Sequence, residues 1–245
     1  SMSYLKDFIN SNKENNLSFY NVTHTACISL PSITNYVTTV KKKFKLNKEC
    51  INLYKNINKI LKSTKEEPVV FLYNTWFKNI IRNDSDAYNE NLFFFDDLKK
   101  NKIIIRTILD DIIKLRKMNK VKKKWVIVGI SPGSFNNNYK GYMNCYYSNR
   151  SKFNQKISEI EKCDKENLKK NGSNFENHQI FKNLVNSDYK NELVYIDTYE
   201  LYCYEKYCTN FTSQDKLIYK DHHHFTYEGS KKIVHKILEV FNKIY

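Results

Sequence analysis

Three short apolar runs, Val69 to Leu72, Trp125 to Gly129 and Leu193 to Ile196, each follow a stretch in which apolar residues recur at helical spacing. A continuous apolar run bounded by polar segments suits a strand buried on both faces. Alternation of such strands with amphipathic helices implies a parallel sheet with helices on both faces, because parallel neighbours need a crossover connection. The helical spacing is carried by Cys50, Leu53, Tyr54, Ile57, Ile60 and Leu61 before Pro68, and by Ile104, Ile108, Ile112 and Leu115 before Trp125. Tyr4, Leu5, Phe8 and Ile9 predict an earlier helix, followed by a strand over Leu17 to Val22. The segment 133–190 is polar and Asn-rich, with helices expected around Lys152–Lys162 and His178–Val185. A last helix is expected from Thr226 to Tyr245, with Ile233, Val234, Ile237, Leu238 and Phe241 on its inner face. The expected class is α/β, a three-layer sandwich formed by one domain over residues 1–245.

Composition narrows what such a domain does. The formal charge of +15 raises the question of a nucleic-acid partner. Lys41–Lys43 and Lys122–Lys124 are the densest basic runs, and the remaining Lys is dispersed among Asn. With no zinc-finger spacing, aromatic RNA-binding signature or Gly-rich phosphate loop, this is read as a solvated surface and no nucleic acid is expected. No run approaches the roughly 20 apolar residues needed to cross a bilayer.

In parallel sheets, chemistry collects beyond the carboxyl ends of the strands. The loop just before the last helix, Tyr219-Lys220-Asp221-His222-His223-His224-Phe225-Thr226-Tyr227-Glu228-Gly229, is rich in groups for it. Asp221 and His224 are spaced so that a short loop can aim the carboxylate at one ring nitrogen and leave the other for a nucleophile. The Asp would set the tautomer and stabilise the imidazolium, and the His would act as general base, then general acid. Thr226 suits the N-cap of the helix. Three consecutive His residues could instead hold a metal, or belong to a solvated loop. Consecutive side chains diverge, however, and the Cys/His partner spacing of a zinc site is missing, so no metal is expected.

Asp221, His224, Phe225, Thr226 and Gly229 together resemble the last sequence block of the SGNH (G-D-S-L-like) hydrolases. The nearest likeness is to the SGNH domain fused behind the membrane part of acyltransferase-3 type proteins, which O-acylate carbohydrates. Val194-Tyr195-Ile196-Asp197, then Cys203 and Cys208, resemble the strand, acidic turn and cysteine pair before that block. Upstream, Thr25-Ala26-Cys27 before Pro31, Cys50 at a helix start, Val69 to Leu72 before Trp76, and Val126-Ile127-Val128-Gly129 with Pro132 follow the family in order. The resemblance implies Ser/His/Asp-dependent O-acyl transfer or ester hydrolysis, without a cofactor, between an acyl donor and a carbohydrate acceptor. It implies disulfides Cys27–Cys50 and Cys203–Cys208, hence an oxidising, extracytoplasmic compartment. It also implies a membrane acyltransferase domain on the full-length protein. Cys145 and Cys163 have no counterpart in the family.

The family's G-D-S block is absent. Residues 3–12 resemble the helix after it, which puts Ser1 where the nucleophile belongs. Either Ser1 is that serine, with the first strand and the Gly-Asp missing, or it is a vector-derived residue that coincides with the position. A free α-amino group there would replace an amide that should face the oxyanion. Ser131, after the run Trp125 to Gly129, is the second candidate nucleophile. Asn74 is the candidate oxyanion donor, although an ordinary turn explains an Asn equally well, and the Gly of the second block is not found. Phe93-Phe94-Phe95 and Tyr146-Tyr147 are read as packing rather than a sugar platform, and His24 as structural. The rival to an enzyme is a catalytically lapsed SGNH-like domain that binds glycan or protein.

Overall fold

The computed structural model describes residues 30, 33–38, 44–46, 48–64, 67–73, 80–82, 98–132, 173–204, 207–209, 212–214, 216–219 and 225–244. The elements expected at residues 4–22 and 152–162 lie outside them. In chain order the described elements are β1 (Ile33–Thr38), β2 (Phe44–Leu46), α1 (Lys48–Ser63), β3 (Phe71–Tyr73), β4 (Ile80–Arg82), α2 (Leu98–Met118) and β5 (Trp125–Val128). They continue with α3 (Ser173–Ser187), β6 (Leu193–Ile196), α4 (Thr198–Tyr202), β7 (Cys203–Tyr204), β8 (Tyr207–Cys208) and α5 (Tyr227–Ile244).

The centre is a parallel sheet in the order β3-β5-β6. Phe71 pairs with Val126 and Tyr73 with Val128, while Trp125 pairs with Leu193 and Val128 with Ile196. All four side chains of β5 are buried, as a middle strand covered on both sides requires. Their alternation divides the core in two. Trp125 and Ile127 pack with Ile105, Ile108, Leu109 and Ile112 of α2 and with Phe181 and Val185 of α3. Val126 and Val128 pack on the other face with Tyr202 of α4 and with Ile233 and Ile237 of α5. This is the expected three-layer arrangement. Each such side chain, fully buried, contributes about 1.5–3 kcal/mol.

Arg116 closes the end of the sheet away from the strand carboxyl termini. Its Nε donates to the Lys123 carbonyl at 2.8 Å and its Nη1 to Glu192 at 2.7 Å, while Nη2 donates to the Lys122 carbonyl. One guanidinium thereby ties the end of α2 to the chain entering β5 and β6.

The structure also holds elements the hydrophobic pattern does not announce. β1 pairs antiparallel with β2 and with β4, giving a second sheet in the order β2-β1-β4. The strand expected over Val69 to Leu72 is displaced to Phe71–Tyr73, because its extent is set by pairing with β5. Helix α3 starts at Ser173, five residues before the expected His178.

Candidate active site

Parallel pairing brings the carboxyl ends of β3, β5 and β6 to one edge, so that Asn74, Gly129-Ile130-Ser131 and Asp197 each follow a strand end there in the chain. Asn74 lies outside the described residues. Ser131 is half-buried and Ile130 fully buried.

At the end of β6 the structure builds a cluster that sequence reasoning missed. Asp197 caps α4, its carboxylate accepting the Glu200 amide at 3.1 Å. Its Oδ2 also accepts from Lys182 at 2.7 Å, and its Oδ1 stands 2.9 Å from Nε2 of the fully buried His178, off the line of a good hydrogen bond. Burial alone would raise the Asp197 carboxyl, but His178, Lys182 and the Glu200 amide outweigh it and hold the group well below the usual carboxylate range. On the other side of the ring, the Tyr195 hydroxyl lies 3.0 Å from Nδ1. Burial and the Asp197 charge push that phenol well above its ordinary range, so it stays protonated beside the ring.

This network reaches the neighbouring strand end. Thr198 Oγ1 donates to the Ile130 carbonyl, and the Ile130 backbone beside the Tyr195 hydroxyl offsets part of that phenol's upward shift. A Cβ on Gly129 would stand 2.5 Å from the Tyr195 hydroxyl, so only glycine allows the two strand ends to meet in this way. A capping signature was legible, since Asp197 is followed three residues later by Glu200. His178 carried no such signal, because one imidazole in a helical stretch looks like many others.

Asp221 and His224 lie in residues 220–224, outside the described residues, and the residues on either side of that segment are tied to each other. Tyr219 and Phe225 form an antiparallel bridge across it. The Thr226 amide donates to the Ile218 carbonyl at 2.8 Å, and Thr226 Oγ1 accepts from the Gly229 amide at 2.9 Å, which makes Thr226 the expected cap. Gly229 also has a steric reason to be glycine: a Cβ there would stand 2.0 Å from the Ile218 carbonyl oxygen. Gly229→Ala is therefore expected to cost about 1–3 kcal/mol by forcing the two backbones apart. An unchanged denaturant midpoint would remove that explanation.

Of the remaining candidates, Ser1, Cys27, Cys145 and Cys163 lie outside the described residues, and Cys50 occupies the first turn of α1. Cys203 and Cys208 are joined in a disulfide, as the resemblance implied, and pair across the β7–β8 hairpin. Among the described residues no group of three or more His, Cys, Asp and Glu could hold a metal ion, and no helix is long and apolar enough to cross a membrane.

A layered parallel sheet with a bridged loop feeding its last helix defines an α/β domain whose rim suits loop-borne chemistry. A family model described as "SGNH domain (fused to AT3 domains)" matches residues 1–239, and the chain belongs to that family. The family is one of hydrolases and acyltransferases. No curated protein and no solved structure matches the chain.

Proposed function

We propose that the chain is a single SGNH domain that carries out Ser/His/Asp-dependent O-acyl transfer onto a carbohydrate hydroxyl, with ester hydrolysis as the reaction when water is the acceptor. The observation that carries this reading is the clamped base of the segment 220–224. A bridge, a cap and a glycine contact hold the two ends of a five-residue span with Asp221 and His224 inside it.

In this scheme Ser1 Oγ attacks the acyl carbonyl while His224 takes its proton. Backbone amides and Asn74 hold the oxyanion, and the imidazolium, stabilised by Asp221, protonates the leaving group. The acceptor hydroxyl then loses its proton to His224 and displaces the serine. Exposed Tyr204 and Tyr227, with Lys232 and Lys231 ammonium groups 5.8 and 5.6 Å from their ring centroids, support a sugar acceptor, because aromatic faces stack on pyranose rings. The disulfide supports an extracytoplasmic setting. The fusion that characterises the family supports a membrane acyltransferase domain as the source of the acyl group.

Incubation of the intact protein with an activated acetyl ester, quenched in acid and mapped by mass spectrometry, is expected to yield an acetyl adduct on the Ser1 Oγ. An adduct on Ser131 instead would reassign the nucleophile. Absence of any acyl-serine, with no ester turnover, would leave the chain as a lapsed domain that binds glycan.

A further inference from the structure

The disulfide hairpin and the last helix meet at an exposed ring. Alternation along β7 puts Cys203 inside and Tyr204 outside, where Tyr204 is 64% exposed. The Cys203–Cys208 bond fixes the backbone one residue before that ring. Beside it stands the half-buried Lys232 of α5. Its Nζ donates to the Leu201 carbonyl at 3.2 Å and lies 5.9 Å from the centre of the Tyr202 ring, so the ammonium is held in place. It is 3.5 Å from the Tyr204 hydroxyl and 5.8 Å from the centre of that ring. Being nearer the phenol oxygen, it stands at the end of the ring and does not cover its face.

The neighbouring cations differ. Lys231 pairs with Glu228 at 2.7 Å, Lys216 reaches the same side chain at 3.8 Å, and Lys236 pairs with Glu239 at 2.8 Å. Among the described residues Lys232 has no carboxylate partner. A cation that is fixed but not neutralised attracts an anionic group, and an open aromatic face stacks on another ring. The formal charge of +15 adds a long-range pull in the same direction.

We infer that Tyr204 and Lys232 form a subsite for an acidic sugar residue, whose ring lies on the Tyr204 face while its carboxylate meets the Lys232 ammonium. The inference rests on the carbohydrate acceptor of the proposed function and specifies it as an anionic glycan. A single-stranded nucleic acid would need a run of such positions. The next exposed ring, Tyr227, has beside it a cation that Glu228 already neutralises.

Calorimetric titration of the intact protein with tetragalacturonate, and with its fully methyl-esterified form, makes the test. The rings are the same and only the charge differs, so the acid is expected to bind and the ester to bind about tenfold more weakly. Tyr204→Ala leaves the charge unchanged, and Lys232→Gln leaves the ring; each should weaken binding of the acid about tenfold. Lys102→Gln removes the same charge from the exposed face of α2 and should leave binding unaltered. Equal weakening by the two Lys variants, or full binding by Tyr204→Ala, would reduce the effect to net charge and overturn the subsite. Failure of the acid to bind, equal affinity for the ester, or tighter binding of an oligodeoxythymidylate of the same length would also overturn it. Because calorimetry needs no turnover, the two levels of the claim separate. Binding with these variant effects but no acyl-serine would leave the subsite standing on a lapsed domain. An acyl-serine without binding would end the subsite alone.

Discussion

His224→Ala is expected to lower ester turnover by about four orders of magnitude, ~5.4 kcal/mol of transition-state stabilisation, with the melting temperature nearly unchanged. The size follows from the work assigned to one imidazole: it removes the proton from the nucleophile, returns it to the leaving group, and repeats both steps for the acceptor. Removing it leaves only substrate binding and the oxyanion donors. The small stability change follows from the neighbours, since the chain on either side is fixed by Tyr219, Phe225, Thr226 and Gly229. Steady-state kinetics beside a thermal melt make the check. Turnover within tenfold of the parent would remove His224 from the mechanism.

Asp197→Ala is expected to cost about 2–4 kcal/mol, because it removes the carboxylate that faces the buried His178 and accepts from Lys182, and it uncaps α4. In a domain of this size that lowers the melting temperature by about 10 °C. Asp188→Ala, which removes the exposed Arg106–Asp188 pair and the exposed Ser187–Asp188 hydrogen bond, should give only a small shift. Equal shifts for the two would refute the special role of the buried cluster. Acid supplies an independent test. The groups around Asp197 are His178, Lys182 and Glu200, with the Tyr195 and Tyr199 phenols pushed upward by burial and by its charge. The Asp197 pKa is lowered on folding, so its contribution is complete above the unfolded aspartate value of about 3.9 and fades as the pH drops below it. The stability curves of the parent and of Asp197→Asn should converge below about pH 4. A constant gap across that range would show that the carboxylate charge is not what stabilises the fold.

What the sequence revealed followed how local each signal is. The helices α1, α2 and α5 carry an apolar stripe over four turns or more, and β5 and β6 are unbroken apolar runs, so their own residues report them. Elements whose existence depends on a distant partner were not legible. Strand β1 is made by pairing residues 33–35 with 80–82 as well as residues 36–38 with 44–46, and three-residue strands such as β4 leave no periodicity to find. The beginning of α3 was hidden by Ser173, Asn174 and Asn177, which are weak helix formers, although Asn177 is fully buried. In the candidate site, Asp221 and His224 stood out because their spacing carries a mechanism. His178 and Tyr202 did not, since a buried imidazole and a buried phenol acquire meaning only through what folding places beside them.

Helix α5 meets the chain before it through Gly229, whose backbone lies directly against the Ile218 carbonyl. Any change that shifts the first turn of α5 is therefore passed to Ile218, and from there to the bridge between Tyr219 and Phe225, so this helix and that bridge should loosen together.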